Sequence, residues 1–155
     1  MPGFLKSFRY LVLLILCGAT STAVFAQQIS PEEKAMRQEI FLLINQKRSI
    51  YNQPALLSND TLHQIARKHS IAMAEGKRAF GHDYFASRDS LIRIYWRKTV
   101  STAENVTIAE NAEEAVESWW TSEGHKENLL GDFTHTGIGL AKKGNLWYCT
   151  QIFKR

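Results

Sequence analysis

Apolar residues recur every three or four positions through the first two-thirds of this chain and then give way to a strand-like run at its C-terminal end. Met36, Ile40, Leu43, Ile44 and Lys47 form one stripe; Leu62, Ile65, Ala66, His69, Ala72 and Met73 form a second; Ala112, Ala115, Val116, Trp119 and Trp120 form a third. Such spacing places each set on one face of a helix, and each face needs a partner surface. Thr136 to Ala141 and Leu146 to Phe153 read as strands joined by a turn at Lys142-Lys143-Gly144-Asn145. Helices first and a hairpin last predict an α+β domain built in layers, and they argue against a doubly wound parallel sheet.

Local signals set the ends of these elements. Ser30-Pro31-Glu32-Glu33 combines an N-cap, a proline at the first helical position and a carboxylate placed to close a capping box. Asn52-Gln53-Pro54 breaks that helix, Ser58 or Asn59 caps the next, and Gly76 lies near its end. The third helix is expected to end near Gly124, with Glu110 to Glu117 supplying its solvated face. Residues 77–110 are less periodic: Phe80 to Phe85 reads as a turn with aromatic anchors, followed by a short helix around residues 88–95.

Residues 1–26 have the pattern of a secretory signal, with Lys6 and Arg9 before an apolar run from Tyr10 to Cys17 and a small-residue cleavage site ending at Ala26. The expectation is one domain over residues 27–155, exported from the cytoplasm, with no transmembrane segment in the mature chain. Cys17 raises lipid attachment as a minor reading, set aside because Leu16 stands where a lipobox wants a small residue. Without the leader the chain carries 17 basic and 15 acidic residues, which supplies no basic face for nucleic acid. Cys149 is then the one cysteine left, so no intrachain disulfide forms, and its strand-like setting reads as a buried thiol.

Five histidines, at 63, 69, 82, 125 and 135, form no local metal signature. His69 lies on the apolar stripe of the second helix and reads as a hydrogen-bonded core residue; His63, one step off it, reads as solvated. His82 and His125 each follow a glycine in turn-like sequence, where side chains point into clefts more often than on regular elements. Glu104 sits in a weakly charged stretch. Spacing alone does not separate a shared role for these three from two loop histidines and a surface acid.

Taken together, several runs resemble the bacterial branch of the CAP (SCP-like) superfamily, which includes cysteine-rich secretory proteins, antigen 5 and plant pathogenesis-related proteins. They are Ala66 to Ala74, Phe80-Gly81-His82, Glu104-Asn105-Val106, Trp119 to Leu130, Phe133 to Gly139 and Trp147 to Phe153, in the family's order over residues 36–153. The resemblance implies a three-layer α-β-α sandwich with a central antiparallel sheet, and a cleft in which His82, Glu104 and His125 meet. Ser122 stands where many eukaryotic members carry a second cleft glutamate, with Glu123 beside it. Departures are Ala103 before the Glu-Asn pair, Glu123 where bacterial members often have proline, and a short loop at Gly131-Asp132.

Two imidazoles and a carboxylate suit Zn²⁺ or another divalent ion, and without a metal the same groups suit acid-base work. The resemblance therefore implies a secreted binding domain whose His82/Glu104/His125 cleft takes a divalent metal and a small ligand. One alternative is a hydrolase or peptidase in which Ser122 or Ser70 attacks with a cleft histidine as base. Another is a lipid or sterol carrier, or a surface interaction module, with Tyr95, Trp96, Trp119 and Trp120 lining a groove. The partner expected is an extracellular small molecule, lipid or protein.

Overall fold

The computed structural model describes residues 28–155, so the leader and Cys17 lie outside the described residues. The elements are α1 (Pro31–Ile50), β1 (Leu57–Ser58), α2 (Asp60–Ala74), α3 (Phe85–Tyr95), β2 (Thr102–Ala109), α4 (Ala112–Thr121), α5 (Glu123–Leu130), β3 (His135–Lys143) and β4 (Leu146–Lys154). The strands form one sheet in the order β1-β3-β4-β2, antiparallel except for the two-residue parallel pairing of β1 with β3.

The three layers follow from the alternation of side chains along each strand. Ile138 and Leu140 of β3, with Cys149 and Phe153 of β4, face the larger core, which they share with Met36, Ile40 and Ile44 of α1, Trp119 of α4 and Leu129 of α5. Ile152 of β4 faces the other way, onto Leu62, Ile65 and Ala66 of α2 and Ile92 of α3. Between Ile138 and Leu140 the opposite face of β3 carries glycine. A Cβ at Gly137 would stand 2.2 Å from Leu62 C, and one at Gly139 1.9 Å from Arg67 N, so α2 lies directly on the strand backbone there.

The caps of α1 and α2 are those of the sequence, with one change. Ser30 Oγ accepts from Glu33 N at 3.0 Å, and Asn59 Oδ1 accepts from Leu62 N at 3.1 Å. Glu33 does not close a capping box: its carboxylate takes two hydrogen bonds from Arg67, at 2.6 and 3.1 Å, and ties the start of α1 to α2. Burial settles this, because Glu33 is 6% exposed and a buried carboxylate needs a cation more than it needs another amide.

Four other expectations are corrected. The periodicity of residues 77–110 did not reveal β2, most of whose side chains are buried on one face or the other. The Trp119 helix stops at Thr121, and a separate helix, α5, begins at Glu123. His63 is not solvated; it is 6% exposed, with Nε2 hydrogen-bonded to Ser58 Oγ at 2.8 Å and Nδ1 against the Ile138 backbone, 2.9 Å from its O and 2.7 Å from its N. The four aromatics do not line one groove: Trp119 is fully buried in the larger core and Trp120 packs against that core, whereas Trp96 packs against the smaller core with Tyr95 exposed beside it. Cys149 is buried as expected, and desolvation pushes its thiol up to about 12, where it is inert.

Candidate functional site

The site forms at the free edge of the sheet. β2 is the outer strand, and it pairs with β4 so that Glu104 stands opposite Ile152, on the α2/α3 face, while Asn105 stands opposite Gln151, on the α1/α4/α5 face. His82 comes from the α2–α3 connection and His125 from α5, one from each layer. They meet beyond the strand edge, with ring centroids 6.0 Å apart and planes inclined at 53°. A cleft of about 490 Å³ runs along this edge, lined by Phe80, Gly81, His82, Val106, Thr107, Ile108, Ser118, Ser122 and His125.

Each histidine is anchored from its own side. On the α2 side, His69 Nε2 donates to Gly81 O at 2.8 Å and fixes the turn before His82. That turn uses unusual backbone: Gly81 has φ 140°, and Tyr84 has φ 61°, with the Arg78 guanidinium 4.0 Å above its ring. On the other side Asn105 Nδ2 donates to His125 O at 3.1 Å, and Asn128 Nδ2 donates to Asn105 Oδ1 at 2.9 Å. Asn59 and Asn105 are thus both used internally, one as a helix cap and one as a fully buried brace.

Glu104 is the hinge of the arrangement, its side chain 1% exposed. His82 Nδ1 donates to Oε1 at 3.1 Å, which leaves the His82 Nε2 lone pair free, with the side chain 48% exposed. The same carboxylate takes a fork from Arg88 of α3: Nε to Oε2 and Nη2 to Oε1, both at 2.6 Å. Arg88 Nη1 also donates to Asp83 O at 2.8 Å, tying the fork to the residue after His82. Reading the sequence missed Arg88. Its i+4 neighbours carry no pattern that marks it, and only the burial of Glu104 in the same layer explains it.

His125 lacks a comparable partner. Its Nδ1 is buried without a hydrogen bond among the described residues, and burial, followed by the charge of His82, lowers its pKa, so the ring is neutral at neutral pH. Ser122 lines the cleft between α4 and α5, while Glu123 points away into solvent in the first turn of α5. Neither cleft histidine has a hydrogen bond to a serine among the described residues. Ser70 is fully buried against the sheet, donating to Gly139 O at 2.9 Å and accepting from Thr150 Oγ1 at 2.8 Å.

One Ser–His pair does exist, Ser58 with His63, on the opposite edge of the sheet. The His63 Nδ1 lies against both the Ile138 amide nitrogen, at 2.7 Å, and the Ile138 carbonyl oxygen, at 2.9 Å, and the pair lies across the sheet from the His82/His125 cleft.

No cluster of three or more His, Cys, Asp or Glu side chains arranged for a metal occurs among the described residues. The donor set nevertheless fits a weak ion site. Two imidazoles face one cleft, one of them with its second nitrogen held by a carboxylate, as ligating histidines usually are. Glu104 has both oxygens engaged by Arg88 and His82.

Comparison with known proteins places these features. The family model described as "Cysteine-rich secretory protein family" (CAP) matches residues 41–153. The uncharacterized protein YkwD of Bacillus subtilis is 30% identical over 123 residues, covering 77% of this chain and 47% of that protein. An extracellular protein containing an SCP domain from Bacillus anthracis superposes with a TM-score of 0.69 at 28% identity, over 83% of this chain and 44% of its own. An outer surface protein of Borrelia burgdorferi superposes with the same score at 23% identity, over 79% and 93%, and shows the shared fold. The chain thus spans about half the length of the two Bacillus relatives.

Proposed function

The chain belongs to the CAP family of cysteine-rich secretory proteins, and from that premise we propose that it is an exported binding domain whose edge cleft takes up a divalent cation on His82 and His125. The observation that carries this reading is the meeting of two imidazoles from opposite layers in one cleft. Export is supported by the leader-like residues 1–26 and by relatives described as extracellular or outer-surface proteins.

In this reading His82 Nε2 is the better donor, because Glu104 fixes its tautomer, and neutral His125 supplies the second lone pair. We assign Glu104 the work of orienting His82 and leave it out of the ligand set, where the sequence had placed it, since Arg88 already satisfies its oxygens. Two protein ligands are one fewer than a catalytic zinc site ordinarily has, so water completes the shell and binding is weak. A bound ion would supply Lewis acidity to a small polar ligand in the cleft.

The serine hydrolase reading has less support, because no serine hydroxyl is hydrogen-bonded to either cleft histidine among the described residues. Titration with Zn²⁺ by calorimetry, on wild type, His82→Ala and His125→Ala, tests the proposal. Wild type binds, and each variant loses at least about tenfold in affinity; equal binding by the three proteins refutes the assignment.

A further inference from the structure

Three of the eleven large apolar side chains exposed among the described residues fall within seven consecutive positions: Ile94 at 72%, Tyr95 at 61% and Val100 at 72%. Trp96 lies between them, half-buried. The segment is held firmly. Ile92 and Thr99 are buried, Arg93 Nη1 donates to Thr99 O at 3.0 Å, and Val100 N donates to Arg155 O at 2.8 Å. Its exposure is therefore built in, and so dense an apolar display marks a surface that meets something other than water.

The unpaired charges around it have one sign. Asp89 is consumed by Arg93, and Asp132 pairs with Arg155. Arg97 and Lys98 are exposed with no ion pair among the described residues, and Lys154 lies 5.4 Å from the centroid of the Trp96 ring, with His135 paired opposite it across the sheet. Aliphatic tips, a Tyr-Trp pair and surplus cations match the three zones of a lipid surface: acyl boundary, carbonyl belt and anionic headgroups.

We propose that the end of α3 and the segment through Val100 form a docking face for an anionic lipid surface. A free phosphate would engage only Arg97, Lys98 and Lys154, leaving Ile94 and Val100 in water. Only a phase that is apolar beneath its charges satisfies both sets. The face is separate from the His82/His125 cleft, and the docking stands whether or not the cleft takes a metal.

Vesicle flotation of the full chain tests it, using phosphatidylcholine alone or mixed with phosphatidylglycerol. Wild type floats with the anionic vesicles at low salt, stays behind with neutral ones, and is not displaced by inorganic phosphate. Both Arg97→Ala/Lys98→Ala and Ile94→Ser/Val100→Ser reduce partitioning about tenfold or more while leaving the thermal melt unchanged. Absence of wild-type flotation, or variants that float like wild type, overturns the proposal and points to a protein partner for this face. Displacement by phosphate overturns the lipid component.

Discussion

Arg88 closes a two-pronged grip on Glu104, with both nitrogen–oxygen distances at 2.6 Å, and in doing so decides what the cleft carboxylate is free to do. A carboxylate 1% exposed and held by a planar guanidinium is a fixed acceptor for His82 Nδ1.

Breaking this grip has two separable effects. Arg88→Met leaves Glu104 buried without its cation and lowers stability by about 3 kcal/mol, read from urea denaturation. Arg88→Lys recovers only part of the loss, because an ammonium cannot reproduce the fork. Glu104→Gln releases the His82 tautomer and weakens Zn²⁺ binding about tenfold or more in calorimetry. An affinity unchanged in Glu104→Gln contradicts the orienting role.

A second ion pair supports the fold and not the site. Arg67 and Glu33 join α2 to the start of α1, with side chains 16% and 7% exposed. Arg67→Ala is expected to cost about 3 kcal/mol by stranding a buried carboxylate, whereas Arg67→Met with Glu33→Leu costs much less. Equal losses in the single and double variants would show that packing, not the uncompensated charge, sets the penalty.

Gly139 is the tightest point between helix and sheet. A methyl group there meets the backbone of Ala66 and Arg67, which cannot rotate away, so Gly139→Ala should destabilise by about 3 kcal/mol. The same change at Gly124, which has open space around it, leaves stability nearly unaltered. Comparison of the two melting temperatures is the check.

Acid sensitivity follows from His63 and His69. Burial, partly opposed by their backbone hydrogen bonds, lowers the pKa of both in the folded state. Between that lowered value and the ordinary histidine value near 6.5 the unfolded chain holds more protons, so stability rises with pH. The contribution is complete above about pH 6.5 and is lost as pH falls through the folded-state values. Denaturation midpoints measured from about pH 7.5 down to about pH 5 should decline, and the decline should be shallower in His63→Asn; a flat profile would contradict the sign.

Much of the architecture is written in short stretches of the chain. Ser30 and Asn59 cap their helices as their neighbours dictate, and the turn before Leu146 makes the hairpin. Capping, turns and periodicity act over a few residues, so a sequence states them directly. The β2 strand was not legible from period, because its two faces are buried under different layers and no alternation of polar and apolar residues survives.

What the sequence determined by itself was the layered α+β class, the starts of α1 and α2, the buried Cys149 and, through resemblance, that His82, Glu104 and His125 belong together. Tertiary structure decided the rest: that β2 is the sheet edge, that His125 rides on its own helix, that His63 is buried and that Arg88 holds Glu104. The reason is the cost of buried charge. A carboxylate's partner is chosen by whichever cation packing brings within reach, and that choice has no signature in the residues flanking either one.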